Sequence, residues 1–157
     1  MSRNTLLEGL TCSDNSLTSL DVSNNTALIY FECQYNQLPT LDVSSNTPLK
    51  YLYCQYNQLE SLDVRYNTAL IFLYCQYNQL ATIDVSSNTP LGFFHFDNNQ
   101  LTTSALNDLF RSLHGNASPT QACRTCETSH VLRLFDNPGA GDCDVSIAEK
   151  KGWRVYR

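Results

Sequence analysis

The hexapeptide Cys-Gln-Tyr-Asn-Gln-Leu occurs three times, starting at Cys33, Cys54 and Cys75, so that successive copies are offset by 21 residues. A unit this short cannot bury an apolar face against itself; it must stack on its neighbours, each unit covering the next. The chain is therefore read down columns of equivalent positions rather than along a folded-back core.

One full coil runs from Leu49 to Ala69, and Leu70 opens the next. Its first half, Leu49-x-x-Leu52-x-Cys54-x-x-Asn57-x-Leu59, resembles the leucine-rich repeat with cysteine at a position where leucine is usual. The likeness covers about Asn4 to Leu101 and recurs in register at Leu7, Leu28, Leu49, Leu70 and Leu91. It implies a right-handed leucine-rich-repeat solenoid, mainly β: a parallel strand stack on the concave face, short extended segments on the convex face, and apolar columns stacked inside. Within each coil a shorter echo appears, because Leu52-x-Cys54-x-x-Asn57 is followed by Leu62-x-Val64-x-x-Asn67. This nesting is similar to the bacterial 21-residue class called IRREKO, whose outer half reads Leu-Asp-Val-Ser-x-Asn, as from Leu41 to Asn46. Both halves are expected to alternate inward apolar and outward polar side chains and then turn at an asparagine.

Two asparagine columns follow: Asn15, Asn36, Asn57, Asn78, Asn99, and Asn25, Asn46, Asn67, Asn88. Amides at a corner can bond backbone groups that a turn leaves unpaired, and asparagine tolerates unusual turn dihedrals, so both columns read as structural. The carboxylates of Asp21, Asp42, Asp63 and Asp84 stack at strand spacing and need neighbouring donors. A calcium ladder wants several converging oxygens, which outward side chains on a convex edge do not supply.

Seven cysteines look like a disulfide framework until four of them, Cys12, Cys33, Cys54 and Cys75, are placed in one column that Phe96 continues. A column that accepts phenylalanine is a core column, and its thiols read as buried and free. Cys123, Cys126 and Cys143 remain. The Cys123-x-x-Cys126 pair leaves open free thiols or a disulfide in a surface loop, a disulfide involving Cys143, or a metal site with His114, His130 and Cys143. Structural zinc wants four ligands at close spacing, and one pair alone does not provide them. No cofactor is expected.

A formal charge of −5 and the lack of any Lys/Arg cluster within the repeats exclude the electrostatic footprint of a nucleic-acid or anionic-lipid binder. No apolar run approaches the length of a membrane span, and Met1 to Asn4 lead into repeat sequence rather than a signal peptide's apolar region. Because Asn4-Thr5-Leu6-Leu7 already fits the repeat and leaves no room for an N-terminal cap, a piece of a longer protein is expected.

The two half-coils share one interior pattern, so each is a control for the other's exterior. In the first half, the outward position before the inner strand residue holds Tyr30, Tyr51, Phe72 and Phe93; the second half holds Ser19, Thr40, Ser61 and Thr82. The next outward column of the first half holds Glu32, Tyr53, Tyr74 and His95, followed by Tyr35, Tyr56 and Tyr77, whereas the second half carries the aspartates and small polar residues, with Tyr66 the exception. Backbone requirements do not account for this asymmetry. Tyrosine offers large, rigid, amphipathic contact area at low entropic cost, which makes the strand face the candidate binding surface. Five strands span roughly 20 Å, about six residues of extended peptide or a short oligosaccharide. The competing reading is that the rings only stack on one another and were copied together by duplication. His95 reads as a rim contact, since no nucleophile or acid/base constellation surrounds it, and no enzyme is expected.

After Leu101 the pattern changes. Ser104 can cap a helix near 104–113 whose apolar stripe is Ala105, Leu106, Leu109, Phe110 and Leu113, with Gly115 to end it. Val131 to Phe135 reads as a strand, 144–151 as a second helix stopped by Gly152, and Trp153 to Val155 as a last extended segment. A single domain over 1–157 is expected, regular over 4–101, with 102–157 as C-terminal capping repeats. Asn137-Pro138-Gly139 through Asp142-Cys143-Asp144, with Ser146-Ile147-Ala148 and Lys151-Gly152-Trp153, resembles the closing unit of secreted and surface-associated bacterial leucine-rich-repeat proteins. That resemblance implies an exported or cell-surface binding protein. Taken together, a noncatalytic module recognising a protein, peptide or glycan is expected, with a ligand-free spacer in a larger surface protein as the alternative.

Overall fold

The computed structural model describes residues 4–115 and 130–157. Strands β1 (Gly9–Thr11), β2 (Tyr30–Glu32), β3 (Tyr51–Tyr53), β4 (Phe72–Tyr74) and β5 (Phe93–His95) come from the regular coils. Helix α1 (Thr103–Ser112), β6 (Val131–Arg133), α2 (Ser146–Glu149) and β7 (Arg154–Tyr156) follow. All seven strands form one parallel sheet in chain order. The last two strands are in register with the rest, so the C-terminal segment extends the same solenoid.

Register is fixed by the alternation within each three-residue strand. The central residues Leu10, Phe31, Leu52, Leu73, Phe94, Leu132 and Val155 pair with one another in sequence. From Phe31 to Leu132 they are fully buried. A one-residue slip would turn this whole column to solvent. In the coil that begins at Leu49, the side chains of Leu52, Cys54, Leu59, Leu62 and Val64 join Leu49 in the interior. This matches the nested apolar pattern. The cysteine column behaves as core: Cys33, Cys54 and Cys75 are buried free thiols and Cys12 is half-buried. Burial pushes these thiols up from their ordinary range.

Both asparagine columns are backbone braces. Asn57 Nδ2 donates to the carbonyls of Cys33 (3.0 Å) and Cys54 (3.1 Å), and its Oδ1 accepts the Leu38 N–H at 3.0 Å. In the second column Asn67 Nδ2 donates to the carbonyls of Val43 (3.0 Å) and Asn46 (2.8 Å). Apart from Asn15, which bonds only within its own coil, each amide thus ties one coil to the coil before it, at a corner where backbone groups would otherwise be buried unpaired. The left-handed backbone of the first corner lies one residue earlier than expected. It falls on Asp14, Tyr35, Tyr56, Tyr77, Asn98 and Asp136, with φ between 53° and 56°. The brace asparagine needs its side chain for the carbonyls, and the preceding residue makes the turn.

The convex aspartates are satisfied locally. Oδ1 of Asp21, Asp42, Asp63 and Asp84 accepts the N–H of the residue two places on, at 2.9–3.1 Å. Each closes an Asx turn.

At the C-terminal end, α1 is capped by Thr102 rather than Ser104: Thr102 Oγ1 accepts the Ala105 N–H at 3.3 Å. Leu106, Leu109 and Phe110 bury the apolar stripe. The last carbonyls of α1 are taken by Lys151 Nζ, which donates to Arg111 and Leu113 at 2.6 Å each, so Gly115 is not what ends the helix. Helix α2 is shorter than the 144–151 pattern, and the chain leaves it through Gly152 with φ 87°. Gly139 lies against α1's start: a Cβ there would meet Thr103 N at 2.1 Å. Cys143 is buried with its thiol toward the Ala140 carbonyl, 3.5 Å away. Cys123 and Cys126 lie outside the described residues.

Candidate functional site: the aromatic strand face

The outward residues of the strands form two continuous columns. Tyr30, Tyr51, Phe72 and Phe93 occupy the first strand position, and Glu32, Tyr53, Tyr74 and His95 the third. All are half-buried. Phe72 and Phe93 stack with ring centroids 4.5 Å apart, as do Tyr74 and His95 at 4.3 Å, while Tyr53 meets Tyr74 edge-on at 5.2 Å. Parallel strands bring identical positions together, so such stacking follows from the register and stabilises the sheet by about 0.5–1.5 kcal/mol per pair. For these two columns, the stacking reading explains much of what is seen.

The turn column is different. Tyr35, Tyr56 and Tyr77 stack at 4.4 and 4.2 Å, yet every one of them holds a left-handed backbone. That conformation costs a non-glycine residue about 1–2 kcal/mol and favours glycine, asparagine or aspartate. The ends of the same column carry Asp14, Asn98 and Asp136, the types the conformation favours. Three tyrosines form two stacked pairs, each worth about 0.5–1.5 kcal/mol beyond the area it buries, so stacking offsets part of three strain terms of this size. Tyr35 and Tyr77 are 47% and 43% exposed. Exposed aromatic side chains kept in a strained conformation need another reason, and function is the usual one.

Each of these tyrosines is preceded in the chain by a glutamine, Gln34, Gln55 or Gln76. These glutamines are half-buried, and their Oε1 atoms are buried without a partner among the described residues. Asp97 continues their column. It is buried, accepts the Phe135 N–H at 3.0 Å, and is held above its usual range by that burial, against the lowering effect of the Phe135 N–H and Arg133.

The C-terminal side of the face contains groups that sequence reasoning did not include. Arg133 pairs with His95 across β5 and β6, and Tyr156 pairs with Arg133 across β6 and β7. Tyr74, Phe93, His95, Arg133, Phe135 and Tyr156 line a groove of about 440 Å³. An adjoining groove of about 450 Å³ shares His95, Arg133 and Phe135 and reaches Tyr56 and Tyr77, which joins the turn column to the strand columns. Arg133 lies over the Phe135 ring at 5.5 Å, with Nε 3.9 Å from Asp97 Oδ2 and the side chain half-exposed. His95 is pushed down to about 4, chiefly by burial and then by Arg133, so it is neutral near pH 7. At the other end, the Tyr30 hydroxyl donates to Glu32, and that bond is the main reason its phenol is pushed up to about 12.

A signal for the missed residues existed. Val131-Leu132-Arg133-Leu134-Phe135-Asp136-Asn137 aligns with Phe93-Phe94-His95-Phe96-Asp97-Asn98-Asn99. Asn137 is accordingly the next brace asparagine, donating to Phe96 and Leu134 carbonyls at 3.0 and 3.1 Å. The interval is longer than 21 residues because α1 and the polar stretch after it intervene.

No protein-family model matches the chain, and no curated relative is found. Solved structures do resemble it. An internalin, InlF, of Listeria monocytogenes is 21% identical with a TM-score of 0.76, over 96% of this chain and 41% of that one. A leucine-rich-repeat protein of Leptospira interrogans is 18% identical with a TM-score of 0.69, over 96% of this chain and 43% of that one. A functional domain of InlJ from Listeria monocytogenes, described as including a cysteine ladder, is 26% identical over 95% of this chain and 39% of that one, with a TM-score of 0.45. By its likeness to the Listeria internalin InlF and the Leptospira protein the chain has the leucine-rich-repeat fold, and it spans about two fifths of the length of each of the three proteins.

Proposed function

We propose that this chain is a noncatalytic binding module of an exported or cell-surface bacterial protein, and that its aromatic strand face recognises a protein, peptide or glycan. The observation that carries this reading is the tyrosine turn column: three exposed rings are retained in a backbone conformation that disfavours them, next to a groove that Tyr56 and Tyr77 help to line. Leucine-rich-repeat solenoids are commonly interaction modules, which supports the same reading by fold analogy alone. The ring stacking favours the alternative of a ligand-free spacer, because stacked rings stabilise neighbouring coils whether or not anything binds.

Replacing Tyr56 and Tyr77 together by asparagine, the residue type that the next coil carries at the same left-handed position, separates the two. A recognition face predicts that arrayed peptides or glycans captured by the unaltered chain are lost at least tenfold, while the thermal midpoint falls by only a few degrees. A blank array with the unaltered chain, or a variant that unfolds, would favour the spacer.

A further inference from the structure

The third-position column is electrically polarised along the solenoid axis. In register from β1 to β7 it reads Thr11, Glu32, Tyr53, Tyr74, His95, Arg133, Tyr156. One carboxylate stands near one end, one guanidinium near the other, and the three side chains between them are rings with no net charge near pH 7. Glu32 and Arg133 are four strand steps apart, about 19 Å at about 4.8 Å per step. An extended peptide advances about 3.4 Å per residue and presents every second side chain to one face. Six residues cover about 20 Å, and six is even, so residues i and i+6 of such a peptide meet both charges from the same side.

We propose, on the reading that this face binds, that its occupant is an extended peptide segment of a protein partner lying across the strands. Its basic side chain pairs with Glu32 and its acidic side chain, six residues away, pairs with Arg133. The side chains at i+2 and i+4 then fall on Tyr53, Tyr74 and His95, and apolar or aromatic residues fit there. Charge complementarity is what selects a peptide: few other extended ligands carry opposite charges at a fixed separation with apolar groups between them.

Other charged groups near the cationic end modify this picture without reversing it. Asp97 and Asp136 lie on the turn side of Arg133 and line the adjoining groove. Asp97 is buried and already engaged by the Phe135 N–H. Arg154, exposed in the first position of β7, adds a second cation on the strand face. The Arg133 fork is held by Phe135 and Asp97 from one side, and its exposed half borders the aromatic groove. A half-exposed arginine with aromatic neighbours suits carboxylate recognition. At the other end, Tyr30 donates to Glu32 and leaves the carboxylate's second oxygen for an incoming cation.

The test uses end-capped synthetic heptapeptides with Lys or Asp at each terminus and Val or Tyr at the third and fifth positions, followed by fluorescence anisotropy. The unaltered chain should bind the Lys/Asp peptide about two- to fivefold more tightly per matched charge than the Asp/Asp or Lys/Lys peptides, which is what exposed ion pairs provide. This preference should shrink at high ionic strength. Glu32→Lys should shift the preference to Asp/Asp, and Arg133→Glu to Lys/Lys; Arg133→Gln, which adds no charge beside Asp97, should erase discrimination at that end. Equal binding of all four charge patterns overturns the polarity. If Tyr53→Ala and Tyr74→Ala then abolish that uniform binding, the face still binds; if they change nothing, that reading fails separately. Binding of glycans with no response to any peptide overturns the peptide occupant, as does self-association of the chain through this face.

Discussion

Tyr77 shows how much a single column position can reveal. It occupies a corner whose backbone geometry suits Asp14, Asn98 and Asp136 at equivalent positions, and it stacks on one partner, Tyr56. Tyr77→Asn would relieve about 1–2 kcal/mol of left-handed strain and forfeit a stack of about 0.5–1.5 kcal/mol. The expected outcome in urea unfolding is a stability change within about 1 kcal/mol, neutral or slightly favourable. Binding through the adjoining groove should weaken at the same time. A loss of several kcal/mol would instead make the ladder a brace of the fold. The asparagine that follows, Asn78, is the converse case. Its amide holds Cys54 and Cys75 carbonyls at 3.1 and 3.0 Å and its Oδ1 takes the Leu59 N–H, so the stability of the corner rests on Asn78 and not on Tyr77. From sequence alone the left-handed turn fell on the asparagine, because that residue type tolerates it; the hydrogen bonds show that the asparagine was needed for something else.

Strand β5 carries the pH dependence of the face. His95 is stacked on Tyr74 and faces Arg133, the cation in register on β6, with Asp97 the nearest carboxylate to that arginine. Its folded value near 4 lies below the ordinary imidazole value, so below about pH 6.5 the unfolded chain binds the proton and the folded chain does not. Stability from this group is therefore complete above about pH 6.5 and declines as the pH falls towards 4. His130, buried beside His114 and Trp153 and also lowered, acts in the same direction at the C-terminal end. His95→Tyr, which keeps a ring in the column, should flatten part of this acid-side loss when thermal midpoints are compared at pH 7 and pH 4.5. An unchanged slope would show that His95 is already charged in the fold. The strands of the regular coils were legible because their alternation repeats five times. The C-terminal elements were read correctly in kind but not in detail. The α1 cap moved to Thr102, and Lys151 terminated that helix through a contact forty residues away in the chain, which no local pattern encodes. Arg133 escaped the site for the same reason: its partner in the column, His95, lies beyond the break in the period.

Each coil of the solenoid contacts chiefly its two neighbours, because every strand pairs only with the strands before and after it. Stability is then close to a sum over coils and their interfaces, and the distance between any two surface groups is a count of strand steps. This makes the spacing of Glu32 and Arg133 adjustable without altering either end. Inserting a second copy of residues 49–90, two coils with their own cysteine, leucine and asparagine columns, preserves the register at both junctions because Leu49, Leu70 and Leu91 are equivalent. The added interfaces are of a kind already present, so the thermal midpoint should hold or rise. The two charges would then be six steps apart, about 29 Å, closer to the span of eight extended residues, about 27 Å, than of six. The peptide preference should accordingly move from Lys and Asp at i and i+6 to i and i+8, with the third, fifth and seventh side chains on rings. A folded insertion variant that still prefers i+6 would mean that the peptide does not run across the strands between those two residues, since nothing else on the column changes its spacing when coils are added.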